Sequence, residues 1–466
     1  MKTRIARTVL ACLVWCTTPW FALAGPVSNQ AHPQTAGPVR FAVISDPHLY
    51  NIRLGTSGLA WQETLYRDPK LLKESEPILQ SALASIVQQN VQFLIVTGDL
   101  TKDGELVDHV LMAQYLAKLE QRGIQVFVVP GNHDINNPYA VTYIGDGTRR
   151  VPNVSPETFR ALYQRFGYGQ PLARDPNSLS YVAEPAPGLW LLGIDTCKYE
   201  DNEQLGYPVI GGHISPETMS WVLAQLQSAH AAGKQVIAFM HHGVNLHFFG
   251  EDVVFPDYLV DNWQDISAQL AAAGLKAAFT GHYHAQNAVY PMDGNGQPVL
   301  SLCDVETASL AQYPCAYRIV TLQDGGLNVQ SHRVTQVNVD TGGQPFQQFA
   351  EQNVRELIQV QINQALVSMF GLTPPQIAFV APLVTDALVA NYAGDETPSP
   401  ATLQTIQYFI AAGPPMNQLG YMLLGIWSDL WPGDNDLTVP LDVIVTAVPG
   451  LSPTRPDSSL AGTIDN

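Results

Sequence analysis

The sequence predicts an α/β body followed by a mostly helical C-terminal domain. Three observations carry this expectation. Apolar runs rich in β-branched and aromatic residues alternate with amphipathic stretches through the first half of the chain. Five of those runs stop where a carboxylate, imidazole or amide begins. Near Gly342 the strand-like pattern gives way to long helical periodicity.

The five runs are the frame of the chain. VRFAVISDPH places Asp46 and His48 just beyond a strand, and QFLIVTGD does the same for Asp99. QVFVVPGNHD ends in Asn132, His133 and Asp134, QVIAFMHH in His241 and His242, and KAAFTGHYH in His282 and His284. A parallel or mixed sheet brings such strand ends to one edge, where open α/β proteins hold ligands.

In order, the first strand is expected over 39–45, followed by an irregular loop in which Trp61 and Tyr66 are expected to flank a site. Residues 73–89 read as an amphipathic helix, with Ile78, Leu79, Ala82, Leu83, Ile86 and Val87 on one face. The strand ending at Asp99 follows. GELVDHVLMAQYLAKLEQRG then reads as a helix stopped by Gly123, before the strand that ends at Gly131. From 135 to 187 the pattern loosens into a long loop with a short helix near 159–166; Arg149 and Arg150 stand out there in a base-poor chain. Strands at 190–195, 235–240 and 277–280 alternate with helices at 216–232 and 263–273. The period then becomes two, and Asp324-Gly325-Gly326 marks a hairpin turn. Helices are expected at 349–370, 377–393, 401–412 and 418–431, with Thr373-Pro374-Pro375 as breakers. The predicted division is thus 39–345 for the α/β domain, 346–450 for the helical domain and 451–466 for a disordered tail.

Residues 1–24 have the three parts of an export signal: Lys2, Arg4 and Arg7, an apolar run from Val9 towards Trp15, and Ala22-Leu23-Ala24 before Gly25. That run is short for a bilayer span, and no transmembrane span is expected in the mature form, which would be periplasmic or secreted. Cys303 and Cys315 lie twelve apart and are candidates for a disulfide in an exported protein, while Cys197 is expected to be buried and free. The net charge of -18 offers no basic stripe for long nucleic acids. Small phosphorylated partners are compatible with it, because bound cations invert the local field.

Taken singly, Asp46 is compatible with a turn cap and GNHD with a tight turn. Five such pieces at five strand ends point instead to a metal site. Imidazole and carboxylate suit zinc, iron and manganese. In extended chain, residues i and i+2 share a side, so Asp46 with His48, and His282 with His284, can converge. Seven candidate ligands (Asp46, His48, Asp99, Asn132, His241, His282, His284) exceed what one tetrahedral ion needs and suit two ions sharing a carboxylate.

The set DPH, GDLTKDGE, GNHD, MHHG and GHYH resembles the calcineurin-like metallophosphoesterase superfamily, over roughly 39–335. The resemblance implies a four-layer α/β/β/α sandwich around two divalent or trivalent ions (Mn, Fe or Zn). It places Asp46, His48 and His284 on one ion, Asn132, His241 and His282 on the other, and Asp99 between them. His133 is then the catalytic acid at the leaving oxygen, with Asp134 fixing its orientation. Gly243 departs from the proline common after the double histidine. DLTKDGE and GNHDINNP resemble the branch of cyclic-nucleotide and glycerophosphodiester phosphodiesterases, some exported with a helical C-terminal domain. The implied substrate is a small phosphodiester such as 3',5'-cyclic AMP. A phosphomonoesterase using Arg149 and Arg150, and a non-enzymatic metal-dependent binding module, are the alternatives.

Overall fold

A computed structural model describes residues 37–294 and 296–441. The segment read as an export signal, with Cys12 and Cys16, and the tail from 442 onward lie outside the described residues.

The strands in chain order are β1 (Val39–Ile44), β2 (Phe93–Val96), β3 (Gln125–Val128), β4 (Val141–Ile144), β5 (Gly147–Arg150), β6 (Ala173–Arg174) and β7 (Tyr181–Ala186). They continue with β8 (Leu189–Gly193), β9 (Gln235–Phe239), β10 (Ala277–Thr280), β11 (Asn287–Val289), β12 (Cys303–Glu306), β13 (Ala316–Gln323), β14 (Gly326–Arg333) and β15 (Asp436–Pro440). Two sheets form the body, ordered β15-β14-β13-β1-β2-β3 and β11-β12-β10-β9-β8-β7-β6. In the first, β1, β2 and β3 run parallel; in the second, β8, β9, β10 and β12 do. These central strands are almost wholly buried, which explains their continuous apolar runs. The inner faces meet through aromatic rings, Phe41 stacking on Phe93 at 4.7 Å and standing edge-on to Phe279 at 5.7 Å.

Helices cover both outer faces, completing the sandwich. Its helices are α1 (Leu59–Arg67), α2 (Ser75–Val87), α3 (Leu106–Glu120), α4 (Pro156–Leu162), α5 (Asn202–Leu205), α6 (Pro216–Ala231), α7 (Glu251–Val254) and α8 (Trp263–Ala272). The buried face of α2 is Ile78, Leu79, Ala82, Leu83 and Ile86, as its periodicity requires. Helix α6 begins where Ser215 accepts a hydrogen bond from the Thr218 N–H and Pro216 takes the first turn. Met219, Val222 and Leu226 of α6 join Ile266 and Leu270 of α8 in a core against the second sheet.

The C-terminal region is mostly helical: α9 (Phe346–Phe370), α10 (Pro374–Ala393), α11 (Pro400–Ala411) and α12 (Met416–Ile426). Thr373 and the prolines after it start a helix as well as ending one. Thr373 and Gln376 form a capping box, and proline costs little in a first turn, where its missing N–H has no helical partner. Helix α10 is long and apolar enough to cross a membrane, but half of that window is buried within the protein. Helix α9 lies beside α1, with Gln361 donating to the Arg67 carbonyl at 2.8 Å and Asn353 to that of Pro69 at 3.0 Å.

Four expectations are corrected. The stretch around Trp61 is helical, as α1, and Trp61 is buried in an aromatic cluster with Tyr50 and Tyr143 rather than flanking a site. Tyr66 points to solvent. The loop 135–187 contains the β4–β5 hairpin and the β6–β7 pair. Cys303 and Cys315 are both buried free thiols, because β12 belongs to the second sheet and Cys315 leads into β13 of the first. Cys197 is buried and free, as expected. One further strand was not foreseen: β15 follows the helices and pairs antiparallel with β14.

Candidate metal centre

The functional side chains all leave the carboxyl ends of central strands. Asp46 and His48 follow β1, Asp99 follows β2, and Asn132 and His133 follow β3; His241 follows β9, and His282 and His284 follow β10. The chain turns sharply there. Asp46, His48, Asp99, His282 and His284 all have positive φ, between 38° and 76°, a left-handed conformation that non-glycine residues adopt rarely and mostly at functional sites. Two glycines let the turns approach one another. A Cβ on Gly131 would overlap the Asp99 carboxylate, and one on Gly281 would overlap Ser45 Oγ.

Asp46 accepts a hydrogen bond from the His282 N–H at 3.0 Å through Oδ2 and another from Ser45 Oγ. Its Oδ1 is buried with no donor, 3.4 Å from His284 Nε2 and 3.8 Å from His48 Nε2. Asp99 Oδ2 lies 3.6 Å from His48 Nε2 and 3.5 Å from His241 Nε2. Asn132 Oδ1 is 3.1 Å from His241 Nε2. Two clusters result, Asp46/His48/His284 and Asp99/His241/His282; a third group of His48, Asp99 and His133 lies across them.

Tautomers are set from outside. His241 Nδ1 donates to the Thr97 carbonyl at 2.9 Å, and His284 Nδ1 to Gln312 Oε1 at 3.2 Å. His282 Nε2 donates to the Asp257 carbonyl at 3.2 Å. Each bond spends one ring nitrogen and turns the other's lone pair inward, as metal-ligating imidazoles require. His48 Nε2 and His284 Nε2 then face each other at 3.2 Å beside an unpartnered carboxylate oxygen. This donor set, poor in protons and rich in lone pairs, fits a binuclear divalent metal site. Burial keeps His48 and His282 well below the ordinary imidazole pKa, hence neutral and able to ligate. At His241 burial is outweighed by Asp99, which pushes it up to about 9, a pull that a bound cation would replace.

His242 is not part of the cluster's donor set. Its Nδ1 pairs with Thr196 Oγ1 at 2.7 Å and its Nε2 with the Ile210 carbonyl at 2.8 Å, so neither nitrogen is free.

His133 sits at the mouth, a quarter exposed, with Nε2 3.9 Å from Asp99 Oδ2. The expectation that Asp134 orients it is corrected. His133 Nδ1 pairs with Asp103 Oδ1 at 2.9 Å, and Asn137 braces both residues, donating to the His133 carbonyl and to Asp103. Asp134 turns the other way and accepts the N–H groups of Leu100, Thr101 and Gly131 at 2.8–3.1 Å, tying the turn after β2 to the turn after β3. Burial disfavours charge on His133, yet Asp99 and Asp103 outweigh it and hold its pKa above the ordinary value. Asp103 is in turn held down at about 2, against its burial, by Lys102 and His133. Asp103 lies in the DLTKDGE stretch, four residues after Asp99, so its signal was present; Gln312 had none.

A cavity of about 980 Å³ opens over this centre, with His133, His284, Asp103, Lys102 and Gln312 among the residues at its base.

Fold and site together place the donor set of a candidate binuclear metal centre at the carboxyl edge of two packed sheets. The calcineurin-like phosphoesterase family matches residues 39–286, and the chain belongs to that family. Among curated proteins, a probable cyclic nucleotide phosphodiesterase of Vesicomyosocius okutanii subsp. Calyptogena okutanii is 31% identical over 65 residues. That match spans 14% of this chain and 27% of the relative's length. Similar solved structures include a dimetal phosphatase from Danio rerio, 15% identical with a TM-score of 0.45, covering 64% of this chain and 97% of that one. A purple acid phosphatase from yellow lupin (Lupinus luteus) seeds is 11% identical with a TM-score of 0.41, covering 65% and 53%.

Proposed function

We propose that the chain hydrolyses phosphodiesters rather than phosphomonoesters. The observation that carries this reading is the charge balance around the cavity. Three cations lining it are already matched: Lys70 by Asp68 at 3.2 Å, Lys102 by Asp103, and Arg150 by Glu203 at 2.7 Å. A monoester brings a second negative charge and calls for an uncommitted cation beside the metals. Arg149 and Arg150, the residues that would serve it, are exposed on the β4–β5 hairpin. A fourth lining cation, Arg67, is exposed to solvent.

Two divalent ions, when bound, supply Lewis-acid charge for the phosphoryl oxygens and an activated water. The protein's own groups do the rest. Asp46, His48 and His284 would hold one ion and Asn132, His241 and His282 the other, with Asp99 available to both. His133, protonated on Nε2 and anchored through Nδ1 to Asp103, gives a proton to the departing ester oxygen. The Asn132 amide is neutral and so would leave an ion held there more positive than a carboxylate would.

Cyclic nucleotides are one diester class to test, supported by the resemblance of DLTKDGE and GNHDINNP and by the short match to the curated relative. Export rests on the N-terminal segment alone, and a separate helical domain from 346 on the change of pattern there. The test is hydrolysis by protein reconstituted separately with manganese, zinc and iron. The expected result is a higher kcat/KM for bis-p-nitrophenyl phosphate than for p-nitrophenyl phosphate; the reverse order sinks the diester reading. 3',5'-cyclic AMP, assayed alongside, places the nucleotide class.

A further inference from the structure

The cavity over the metal centre has two unlike walls. Its base is polar, as described. Its far wall is built by the C-terminal helices: Ile362 and Leu366 of α9, Val384 and Leu388 of α10, and Met422 and Ile426 of α12. All but Met422 are 1–7% exposed, so little but the inward edge of each is left uncovered. Polar groups on this wall are few. Gln361, exposed, donates an amide N–H to the Arg67 carbonyl, and Tyr392 brings a hydroxyl. Large apolar side chains continue to the rim, where Met369 is 47% and Tyr139 49% exposed.

The wall of α9, α10 and α12 offers few partners for the donors and acceptors of a nucleobase and ribose, and leaving such groups buried without partners is unfavourable. One occupant satisfies both walls: a molecule anionic at one end and apolar along its length. We propose that the substrate is an amphipathic phosphodiester whose phosphate sits at the metal centre and whose hydrocarbon tail lies along α9, α10 and α12. This inference rests on the diesterase reading for its chemistry, while the tail-binding wall stands on its own geometry. A free alkyl or acyl phosphodiester and a membrane phospholipid present the same chemistry to the site.

The test uses the metal-loaded full chain and p-nitrophenyl alkyl phosphodiesters with methyl, butyl, octyl and dodecyl groups, all below their aggregation limits. The expected result is a kcat/KM that climbs with tail length, by up to about fourfold per methylene until the cavity fills. Methyl-ester turnover with no gain along the series overturns the tail but leaves the diesterase reading intact. Calorimetric binding of n-alkyl methylphosphonates of the same lengths is read in parallel. Tightening with length, even if no diester is cleaved, keeps the wall and sinks only the chemistry; affinity independent of length overturns the inference. Leu388→Gln and the milder Met422→Gln should each lower the dodecyl-to-methyl ratio at least tenfold, a comparison internal to each protein. An unchanged ratio in folded Met422→Gln also counts against the tail. Monomeric short-chain phosphatidylcholine, assayed against phosphatidylcholine vesicles, separates a free lipid source from a membrane one.

Discussion

Asp103 and Gln312 hold His133 and His284 in place without belonging to a ligand motif. If Asp103 orients His133, Asp103→Asn should slow hydrolysis of diesters with alkyl leaving groups by roughly 10–100-fold. p-Nitrophenyl esters, whose leaving group needs little protonation, should lose far less; equal losses in kcat on both classes would remove His133 as the acid. Gln312→Ala should weaken metal binding at the Asp46/His48/His284 cluster by roughly 10–100-fold, read by metal titration of the purified protein. The candidate ligands were legible because each is welded to a strand in a short motif: a run such as QFLIVTG announces where Asp99 must emerge. His241 was separable from His242 only through the resemblance, and the reason is now visible in the Thr196 and Ile210 bonds that occupy His242. Gln312 was illegible because its meaning lies in a contact with His284 from a separate segment. Asp134 was misread because a carboxylate beside His133 in sequence turns back into its own tight turn.

Elements differ in how loudly they speak. Strands β1, β2, β3, β9 and β10, buried on both faces, are continuous apolar runs and were plain. Helix α1 has Trp61 as its one buried residue and begins after Gly55 and Gly58, so its sequence reads as loop. Strand β15 is short and lies at a sheet edge; only Leu437 and Val439 are buried, alternating with exposed Asp436 and Thr438. The turns carrying the ligands are where tolerance is least. Gly281→Ala should place a methyl group against Ser45 and Asp46, costing about 1–3 kcal/mol of stability. A denaturant midpoint unchanged from the parent protein would show that the turn can relax.

For the whole molecule, the two sheets and the C-terminal region are fastened around one buried arginine. Arg318 of β13 donates to the carbonyls of Glu306 and Asn287 in the second sheet, and at 2.7 Å to that of Asp434 just before β15. Beside it, Asp434 and Glu396 are close enough to share a proton. Burial, then the neighbouring Asp429, pushes Asp434 up to about 7, while burial and Asp434 push Glu396 up to about 10. Both folded values exceed the unfolded ones, so the folded state holds protons that the unfolded chain releases. Stability from this pair is therefore present near pH 4 and declines as pH rises through 7. Melting should occur at a lower temperature at pH 8 than at pH 5, and Glu396→Gln should flatten that difference; an unaltered slope would place the pH response elsewhere.

The return of β15 to the sheet has a mechanical consequence. Helices α9 to α12 leave the first sheet after β14 and rejoin it beside the same strand, so the roof over the candidate metal centre is anchored on both sides. Attachment at both ends opposes a hinged opening, so a long-chain product of the proposed reaction would leave the way it entered. For such substrates release becomes the slow step: kcat should fall with chain length while kcat/KM rises, and rapid-mixing traces should show a burst of first product before the steady rate.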